Sequence, residues 1–248
     1  MKLKLGELVL LFGKMSFLIK IEERTLSNQF GQIDMRELLK KEFGDTIKTH
    51  KGEEFHILKP GILDFLRFGA KRGPQVITPK DFATILSLTM PPKDAKIIEA
   101  GTGSGFMSML FASTYPNAQI HTFERRKDFF DNSKKNFDTL GLKNVFPKNH
   151  DFLEGTDEKD ADLAILDMED SENAVPIAHK ALKIGGYLVI YAPFIEQTKA
   201  CVQNMESLGF IGIHTIETIQ REWDVRRHTL PKRSGVMHTG FVSVGRKS

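Results

Sequence analysis

The sequence predicts an α/β protein in which a small N-terminal β domain precedes a mostly parallel sheet flanked by helices. After Lys80, short apolar runs alternate with longer amphipathic stretches, as in consecutive strand-helix-strand units. Before Lys80, the apolar runs are short and are separated by turn residues. A glycine-rich segment, residues 101–105, lies between a buried strand and a helical pattern, which is typical of a ligand-binding turn.

The N-terminal part is predicted to consist of antiparallel strands. Residues 7–21 form two apolar runs separated by Gly13 and Lys14, which is the spacing of a hairpin. Residues 50–58 follow as a turn and a further strand. We therefore expect a small β domain in residues 1–68 and the larger domain in residues 69–248.

The larger domain contains the alternating elements. We predict strands at residues 95–100, 119–123, 144–148, 161–166 and 186–192, and helices at residues 105–115, 127–140, 171–183 and 194–208. Two further strand-like segments, residues 211–223 and 237–246, have no helical pattern between them. These two segments are predicted to form a long hairpin.

The composition limits the class of protein. The formal net charge is only +3, so any site for a polyanion must be local. Cys201 is the single cysteine, which excludes an internal disulfide and a cysteine-based zinc cluster, and the histidines show no ligand pairing. No signal peptide is recognisable, and no apolar run approaches the roughly 18 residues of a membrane span. We expect a soluble, cytoplasmic protein that binds neither a membrane nor a metal.

The segment 101–105 predicts a cofactor site. Glycines allow the positive φ angles of a tight turn and let ligand atoms approach the backbone. The spacing here is Gly-x-Gly-x-Gly, whereas dinucleotide sites use Gly-x-Gly-x-x-Gly. Glu99, in the preceding strand, favours a cationic ligand because its carboxylate would repel a phosphate. An ordinary tight turn without a ligand is the alternative interpretation.

Two acidic residues follow the next two predicted strands. Glu124 comes 19 residues after Gly105, where a carboxylate can accept hydrogen bonds from both hydroxyls of a ribose. Asp151 follows the strand at residues 144–148 and is a candidate to bind an adenine amino group.

Asp167 ends the strand at residues 161–166 and is the candidate catalytic residue, because α/β sheets bind ligands at the carboxyl ends of their strands. Glu169 and Asp170 complete an acidic cluster, in which like charges raise the pKa of one member. Carboxylates also stabilise helix N-termini, so these acids are alternatively caps of the helix that begins near Ser171. We interpret Glu169 and Asp170 as caps and Asp167 as catalytic.

A basic segment, residues 221–233, is the strongest local positive patch, and Trp223 and His228 lie within it. Such clusters bind phosphate backbones, and Arg and aromatic planes stack on bases. The alternative is a solvated hairpin loop. Its five cationic side chains are Arg221, Arg226, Arg227, Lys232 and Arg233.

These motifs together resemble the tRNA adenine-58 N1-methyltransferase family, the TrmI-type enzymes of bacteria and archaea. The resemblance covers most of the chain. The glycine turn is common to many methyltransferases, whereas Arg-x-Trp-x-Val and His-Thr-Gly-Phe are far more specific. The matching segments are 72–81, 99–105, 221–225 and 238–241, together with Glu124, Leu166-Asp167, Tyr191-Ala-Pro193, Gln197 and Arg246-Lys247.

The resemblance implies a Rossmann-like class I methyltransferase sheet, S-adenosylmethionine as methyl donor, and methylation at N1 of adenine 58 in the T-loop of tRNA by a homotetramer. Asp167 would be the catalytic carboxylate, with Tyr191 beside the target adenine. The residues implied for the cofactor site are Gln75, Ile77, Glu99, Gly101, Thr102, Gly103, Ser104, Gly105, Glu124, Asp151 and Asp167. The residues implied for tRNA binding are Thr78, Gln197, Arg221, Trp223, Arg226, Arg227 and His238.

The sequence departs from the family pattern at two places. Thr78 stands where the family has Tyr before Pro-Lys-Asp, and the Pro-Trp that commonly follows the catalytic aspartate region is absent. Both changes leave open what packs over the target base. Two other functions also stay open: an isoaspartyl-type protein methyltransferase shares the glycine turn, and a catalytically inactive tRNA-binding partner subunit shares the fold. The intact glycines, Glu124 and Asp167 favour an active enzyme.

Overall fold

The computed structural model of the protein describes residues 2–73, 76–225, 229–232 and 238–248. The chain divides into two compact units, Met1–Ala70 and Lys71–Ser248. In the described part of the chain, no helix combines the length and apolar character that crossing a membrane requires.

The first unit contains a four-stranded antiparallel sheet in the order β2-β1-β6-β5 and a separate β3-β4 hairpin. The predicted hairpin around Gly13 is confirmed, since β1 pairs with β2 and Leu11 lies opposite Phe17. The elements are β1 (Leu8–Phe12), β2 (Phe17–Lys20), β3 (Thr25–Asn28), β4 (Gly31–Asp34), a 3-10 helix (Met35–Lys40), β5 (Thr46–Lys48), β6 (Glu54–Leu58) and α1 (Ile62–Phe68).

Three phenylalanines form the centre of this small unit. The ring of Phe55 is fully buried. It meets Phe17 and Phe30 edge to face, with ring centroids 5.9 and 6.2 Å away. Edge-to-face packing places the positive ring edge against the negative ring face. The unit therefore has its own apolar core.

The second unit alternates strands and helices. Its elements up to β10 are α2 (Pro79–Thr89), β7 (Lys96–Ala100), α3 (Phe106–Thr114), β8 (Gln119–Phe123), α4 (Lys127–Leu140), β9 (Val145–Lys148) and β10 (Ala161–Leu166). The remainder are α5 (Ser171–Ala181), β11 (Leu182–Ala192), α6 (Ile195–Ser207), β12 (Ile211–Glu217), β13 (Trp223–Asp224), β14 (Leu230–Pro231) and β15 (Phe241–Arg246).

Seven strands form one sheet in the order β12-β15-β11-β10-β7-β8-β9. The five strands from β11 to β9 are parallel, and β15 runs antiparallel to β11. The chain moves outward from β7 through β8 to β9 and then returns to place β10 on the other side of β7. Open α/β sheets bind ligands at the carboxyl ends of strands where the order reverses in this way. The predicted Rossmann-like fold is confirmed.

The C-terminal hairpin is shorter than predicted. β12 and β15 pair antiparallel, but β12 ends at Glu217. Trp223–Asp224 instead pairs with Leu230–Pro231 in a separate two-stranded sheet. The helix predicted to reach residue 183 also ends earlier, because buried Leu182 is extended and begins β11 opposite Ala161.

Candidate active site

The glycine turn lies where β7 and β10 end side by side. Gly101 has a φ of +94°, and a Cβ atom there would lie 1.8 Å from the carbonyl oxygen of Asp167. The backbone N–H of Asp167 also donates to the carbonyl of Ala100 at 2.9 Å. Glycine is required at this position because the turn packs directly against the backbone that carries Asp167.

The turn and Glu124 form one hydrogen-bonded unit. The N–H groups of Gly101 and Thr102 donate to the carbonyl of Phe123 at 3.0 and 3.1 Å. Gly103 N–H donates to Oε2 of Glu124 at 2.8 Å, and Arg126 N–H donates to Oε1 at 2.9 Å. The carboxylate is thereby fixed, and each oxygen keeps a lone pair for a further donor.

Glu99 lies behind the turn. Its buried carboxylate accepts hydrogen bonds from the hydroxyls of Ser108 and Thr122, and burial raises its pKa to about 7. Thr122 also lies 2.5 Å from the hydroxyl of buried Thr102. Glu99 is absent from the lining of the cleft, and its contact with the cofactor stays a prediction. Its contacts instead support the turn from below.

A cleft of about 990 Å³ opens at the carboxyl edge of the sheet. This volume suits a ligand of the size of a nucleoside cofactor with room for a second group. The candidate residues that line it come from the turn, from the ends of β8, β10 and β11, from the loop after β9, and from α6. They are Gly101, Gly103, Ser104, Glu124, Asp151, Asp167, Tyr191 and Gln197.

Other candidates from the sequence lie elsewhere. Gln75, Arg226 and Arg227 fall outside the described residues. Trp223 is half exposed in β13, and Arg221 is exposed in the preceding segment. The structure describes eight further candidates that do not line the cleft: Ile77, Thr78, Glu99, Thr102, Gly105, Arg221, Trp223 and His238.

Asp167 is partly buried on the floor of the cleft. Burial raises the pKa of its carboxyl, and the negative charges of Glu99, Asp81 and Glu124 add to this effect, so that the pKa is about 8. Desolvation and like charges both favour the neutral acid. A cationic ligand in the cleft would lower this pKa again and favour the carboxylate, which is the form that accepts a hydrogen bond or a proton.

Asp151 stands at the far side of the cleft, after β9. Its Oδ1 accepts the backbone N–H of Leu153 at 3.0 Å and so caps the short 3-10 helix Phe152–Glu154. The cap fixes the side chain at the rim, where a carboxylate can accept from an amino group.

Tyr191 forms a wall of the cleft. Its hydroxyl donates to the carbonyl of Thr239 at 2.8 Å, and burial raises its pKa above the ordinary value. A Cβ atom at Gly240 would lie 2.7 Å from the Tyr191 ring, so the ring fits only against glycine. Because the hydroxyl is bound to the Thr239 carbonyl and is hard to ionise, it is poorly suited to proton transfer.

A buried ion pair, which sequence reasoning missed, supports this wall. Lys80 Nζ lies 2.6 Å from Oδ1 of Asp81, whose side chain is 1% exposed. Asp81 also accepts from the hydroxyls of Thr78 at 2.7 Å and Thr239 at 3.0 Å. Thr78 is therefore the cap of α2 and is bound to Asp81. Thr78, Lys80 and Asp81 are close in sequence, but Thr239 is 158 residues from Asp81, so no local pattern signals the complete network.

Two polar side chains hold the loops beside Asp167 and Tyr191. Gln197 Nε2 donates to the carbonyl of Met168 at 3.0 Å. His238 Nε2 donates to the carbonyl of Pro193 at 2.9 Å, while its Nδ1 lies 2.6 Å from Glu217. The hydrogen bond with Pro193 and the Glu217 carboxylate raise the pKa of His238. Both residues thus position backbone segments at the cleft.

Further residues at the cleft were not found from the sequence. Asn136, on the buried face of α4, donates to the carbonyls of Lys71 and Ser104 at 3.0 Å and joins the segment before α2 to the turn. The guanidinium of Arg126 lies 3.8 Å from the ring centroid of Phe129, and both residues line the cleft. The buried face of α4 also carries Ser133, so the residue types of this helix gave no clear signal for Asn136.

Comparison with known proteins identifies the family. The family model described as tRNA methyltransferase complex GCD14 subunit matches residues 70–240. A protein of Methanocaldococcus jannaschii named tRNA (adenine(57)-N(1)/adenine(58)-N(1))-methyltransferase TrmI is 32% identical over 93% of this chain and 90% of its own. The tRNA (adenine(58)-N(1))-methyltransferase TrmI of Thermus thermophilus is 27% identical over 86% of this chain and 84% of its own.

Two solved structures of methyltransferases match nearly the whole chain. A SAM-dependent O-methyltransferase from Thermotoga maritima superposes with a TM-score of 0.91 at 30% identity, covering 99% of this chain and 94% of its own. The tRNA (m1A58) methyltransferase TrmI of Aquifex aeolicus gives a TM-score of 0.84 at 27% identity, covering 100% and 99%. The resemblance drawn from the sequence motifs is confirmed, and the chain belongs to the GCD14 family of tRNA methyltransferases.

Proposed function

We propose that this protein transfers a methyl group from S-adenosylmethionine to N1 of adenine 58 in the T-loop of tRNA. The observation that carries the proposal is the junction of the glycine turn with Asp167 at the reversal point of the sheet. Relatives named as adenine-58 N1-methyltransferases over nearly the whole chain support it. One relative, from Dictyostelium discoideum, is named a catalytic subunit, which favours an active enzyme over an inactive partner subunit. None of these names supports the isoaspartyl alternative.

The residues around the turn fit S-adenosylmethionine. A Cβ atom at Gly103 would meet nothing within 4 Å, so the turn leaves open space for a ligand. The lone pairs that Glu124 keeps support the proposal that it accepts from the two ribose hydroxyls, and we propose that Asp151 accepts from the adenine amino group. The carboxylates of the cleft also suit a cationic ligand electrostatically. When bound, the cofactor supplies an activated methyl group.

Asp167 is proposed to orient the target base. Its carboxylate accepts a hydrogen bond from the adenine N6 amino group, which aligns N1 with the methyl donor. As N1 forms its new bond, positive charge develops on the base and the adjacent carboxylate offsets that charge. Acid-base assistance of this kind contributes about 10²–10⁴-fold, and alignment of the reactants contributes up to about 7–11 kcal/mol.

The target base must leave its stack inside folded tRNA, at a cost of a few kcal/mol. We propose that phosphate contacts from the basic segment 221–233 offset this cost, with Arg221, Trp223, Arg226 and Arg227 as candidates. A homotetramer would bring several such segments to one tRNA molecule. Folded tRNA as substrate also implies action in the cytoplasm.

Nucleoside analysis tests the proposal. Unmodified tRNA is incubated with the protein and methyl-labelled S-adenosylmethionine, digested, and separated by mass spectrometry. Labelled 1-methyladenosine is the expected product. tRNA substrates in which the adenine at position 57 or 58 is replaced show which position is methylated. A 2′-O-methylated nucleoside or label on protein alone would contradict the proposal.

Asp167→Asn gives the matched test of mechanism. It should lower kcat by at least about 10²-fold while leaving cofactor affinity within a few-fold. Asp170→Asn is the control, because Asp170 also lines the cleft, carries the same charge and has a φ of +57° that Asn tolerates. Equal activity of the two variants would remove Asp167 from the mechanism.

A further inference from the structure

A base held by its edge at Asp167 also needs a surface for its flat face. Thr78, in the position of the family's Tyr, has no ring, and its hydroxyl is bound to Asp81. The ring of Tyr191 is 3% exposed, since it packs against Gly240 and hydrogen-bonds to Thr239. Neither residue presents a free aromatic face of useful size.

Phe194 presents such a face. Its side chain lines the cleft together with Asp167 and Tyr191, yet it is 66% exposed. A ring this large left in water at the mouth of a cleft loses the burial that usually stabilises Phe. A ligand that covers the ring would recover that apolar burial.

The backbone of Phe194 is fixed. Its carbonyl accepts from the N–H and the hydroxyl of Thr198, at 3.1 and 3.0 Å, at the first turn of α6. The preceding carbonyl, of Pro193, accepts from His238 at 2.9 Å. The ring therefore moves only by side-chain rotation, and a rigid aromatic surface loses little entropy when it binds.

The charges on the elements that flank Phe194 disfavour a phosphate as its partner. Glu196, two residues along the chain, and Asp170 and Glu172, at the start of α5, also line the cleft and would repel a nucleic acid backbone, whereas the cations of the lining, Arg125 and Arg126, follow β8. A planar, uncharged or partly cationic group fits this environment better. Unstacked bases bind proteins in this way, by stacking on aromatic side chains.

We propose that Phe194 is the stacking platform for the adenine that is methylated, so that Asp167 holds the edge of the base and Phe194 its face. This inference rests on the proposed function and adds a positioning residue to it. Such a platform would take the place of the aromatic residue that Thr78 lacks.

The test compares Phe194→Ala, Phe194→Tyr and Ile195→Ala. Ile195 is the matched control, because it is 52% exposed, adjacent in sequence and absent from the lining of the cleft. Loss of one base-aromatic stack should lower kcat/KM for tRNA about 5- to 140-fold in Phe194→Ala, with cofactor affinity unchanged. Phe194→Tyr keeps the ring and should retain activity, as should Ile195→Ala.

A spectroscopic readout separates stacking from other roles. tRNA that carries at position 58 a fluorescent adenine analogue with the N6 amino group intact should be more fluorescent when bound to Phe194→Ala than when bound to wild type, since stacking quenches such a base. Wild-type kcat/KM and fluorescence in Phe194→Ala would overturn the inference.

Two further outcomes are distinct. Equal losses in Phe194→Ala and Ile195→Ala, together with a change of oligomeric state in light scattering, would overturn the inference and assign the ring to a subunit contact. Absence of any methylated adenine with the wild-type protein would instead remove the proposed function itself.

Discussion

Alanine at Gly101 or Gly103 should impair the same turn in two different ways. At Gly101 the φ of +94° is unfavourable for any side chain, and the added Cβ would lie 1.8 Å from a backbone oxygen of Asp167. Backbone strain contributes about 1–3 kcal/mol and overpacking a further ~1–3 kcal/mol, so the unfolding free energy should fall by about 2–6 kcal/mol. That is a large part of a typical total stability of about 5–15 kcal/mol.

Gly103 lacks this steric conflict. Its φ of +52° is in the left-handed region, and a Cβ atom there meets nothing within 4 Å. Alanine should therefore lower stability by only about 1–2 kcal/mol. Because Gly103 lines the cleft, its added methyl group should instead occupy ligand space and weaken S-adenosylmethionine binding.

Thermal unfolding and calorimetric titration measure the two effects separately. At about 2–4 °C per kcal/mol for a unit of this size, Gly101→Ala should lower Tm by about 4–24 °C and Gly103→Ala by about 2–8 °C. Cofactor affinity should fall in both variants, and in Gly103→Ala the loss of affinity should accompany the smaller of the two losses of Tm. A Gly101→Ala protein with wild-type Tm and affinity would refute the packing of the turn against Asp167.

Three other predictions follow from the same geometry. The folded state holds the proton of Asp167 up to about pH 8, so wild-type stability should fall as pH rises from about 4 to about 8. Asp167→Asn lacks this loss. The Tm of Asp167→Asn minus that of the wild type should therefore be larger at pH 9 than at pH 5. Tyr191→Phe should lose the hydrogen bond to Thr239 and the longer contact of the hydroxyl with Asp81, about 0.5–1.5 kcal/mol in all, and less than tenfold in kcat; a 10²-fold loss in steady-state assays would mean that the hydroxyl takes part in proton transfer. Lys80→Met leaves Asp81 as an unpaired buried charge and should lower the free energy of unfolding by about 3–5 kcal/mol. In urea denaturation, the double variant Lys80→Met/Asp81→Asn should recover much of the lost free energy of unfolding. A double variant as unstable as Lys80→Met would argue against the ion pair.

The regular elements of the second unit were well predicted from local patterns. The strands Gln119–Phe123 and Ala161–Leu166 and the helix Lys127–Leu140 have the predicted bounds. Apolar runs bounded by turn residues indicate buried strands, and Gly141, with a φ of +65°, ends the helix. Local sequence is enough where both the element and its end are determined by neighbouring residues.

Side-chain direction and long-range partners were less accessible. Glu99 was correctly placed beside the turn, but successive residues of a strand point to opposite faces, and its carboxylate lies behind the cleft. Tyr191 and Asp81 are 110 residues apart, and Thr239 and Asp81 are 158 apart. Spacing along the chain does not show such contacts, because they depend on how α2, β11 and β15 pack.

The carboxylates around the cleft have a consequence for the whole reaction cycle. Asp167 and Glu124 lie at the cleft, with Glu99 just behind the turn. Under the proposed function, one positive charge enters on the sulfonium of the cofactor and leaves on the methylated adenine. The transfer therefore leaves the total charge in the cleft unchanged. The carboxylate of Glu124 then attracts the fresh cofactor more strongly than the uncharged thioether that remains, which favours exchange of the spent cofactor after each turnover.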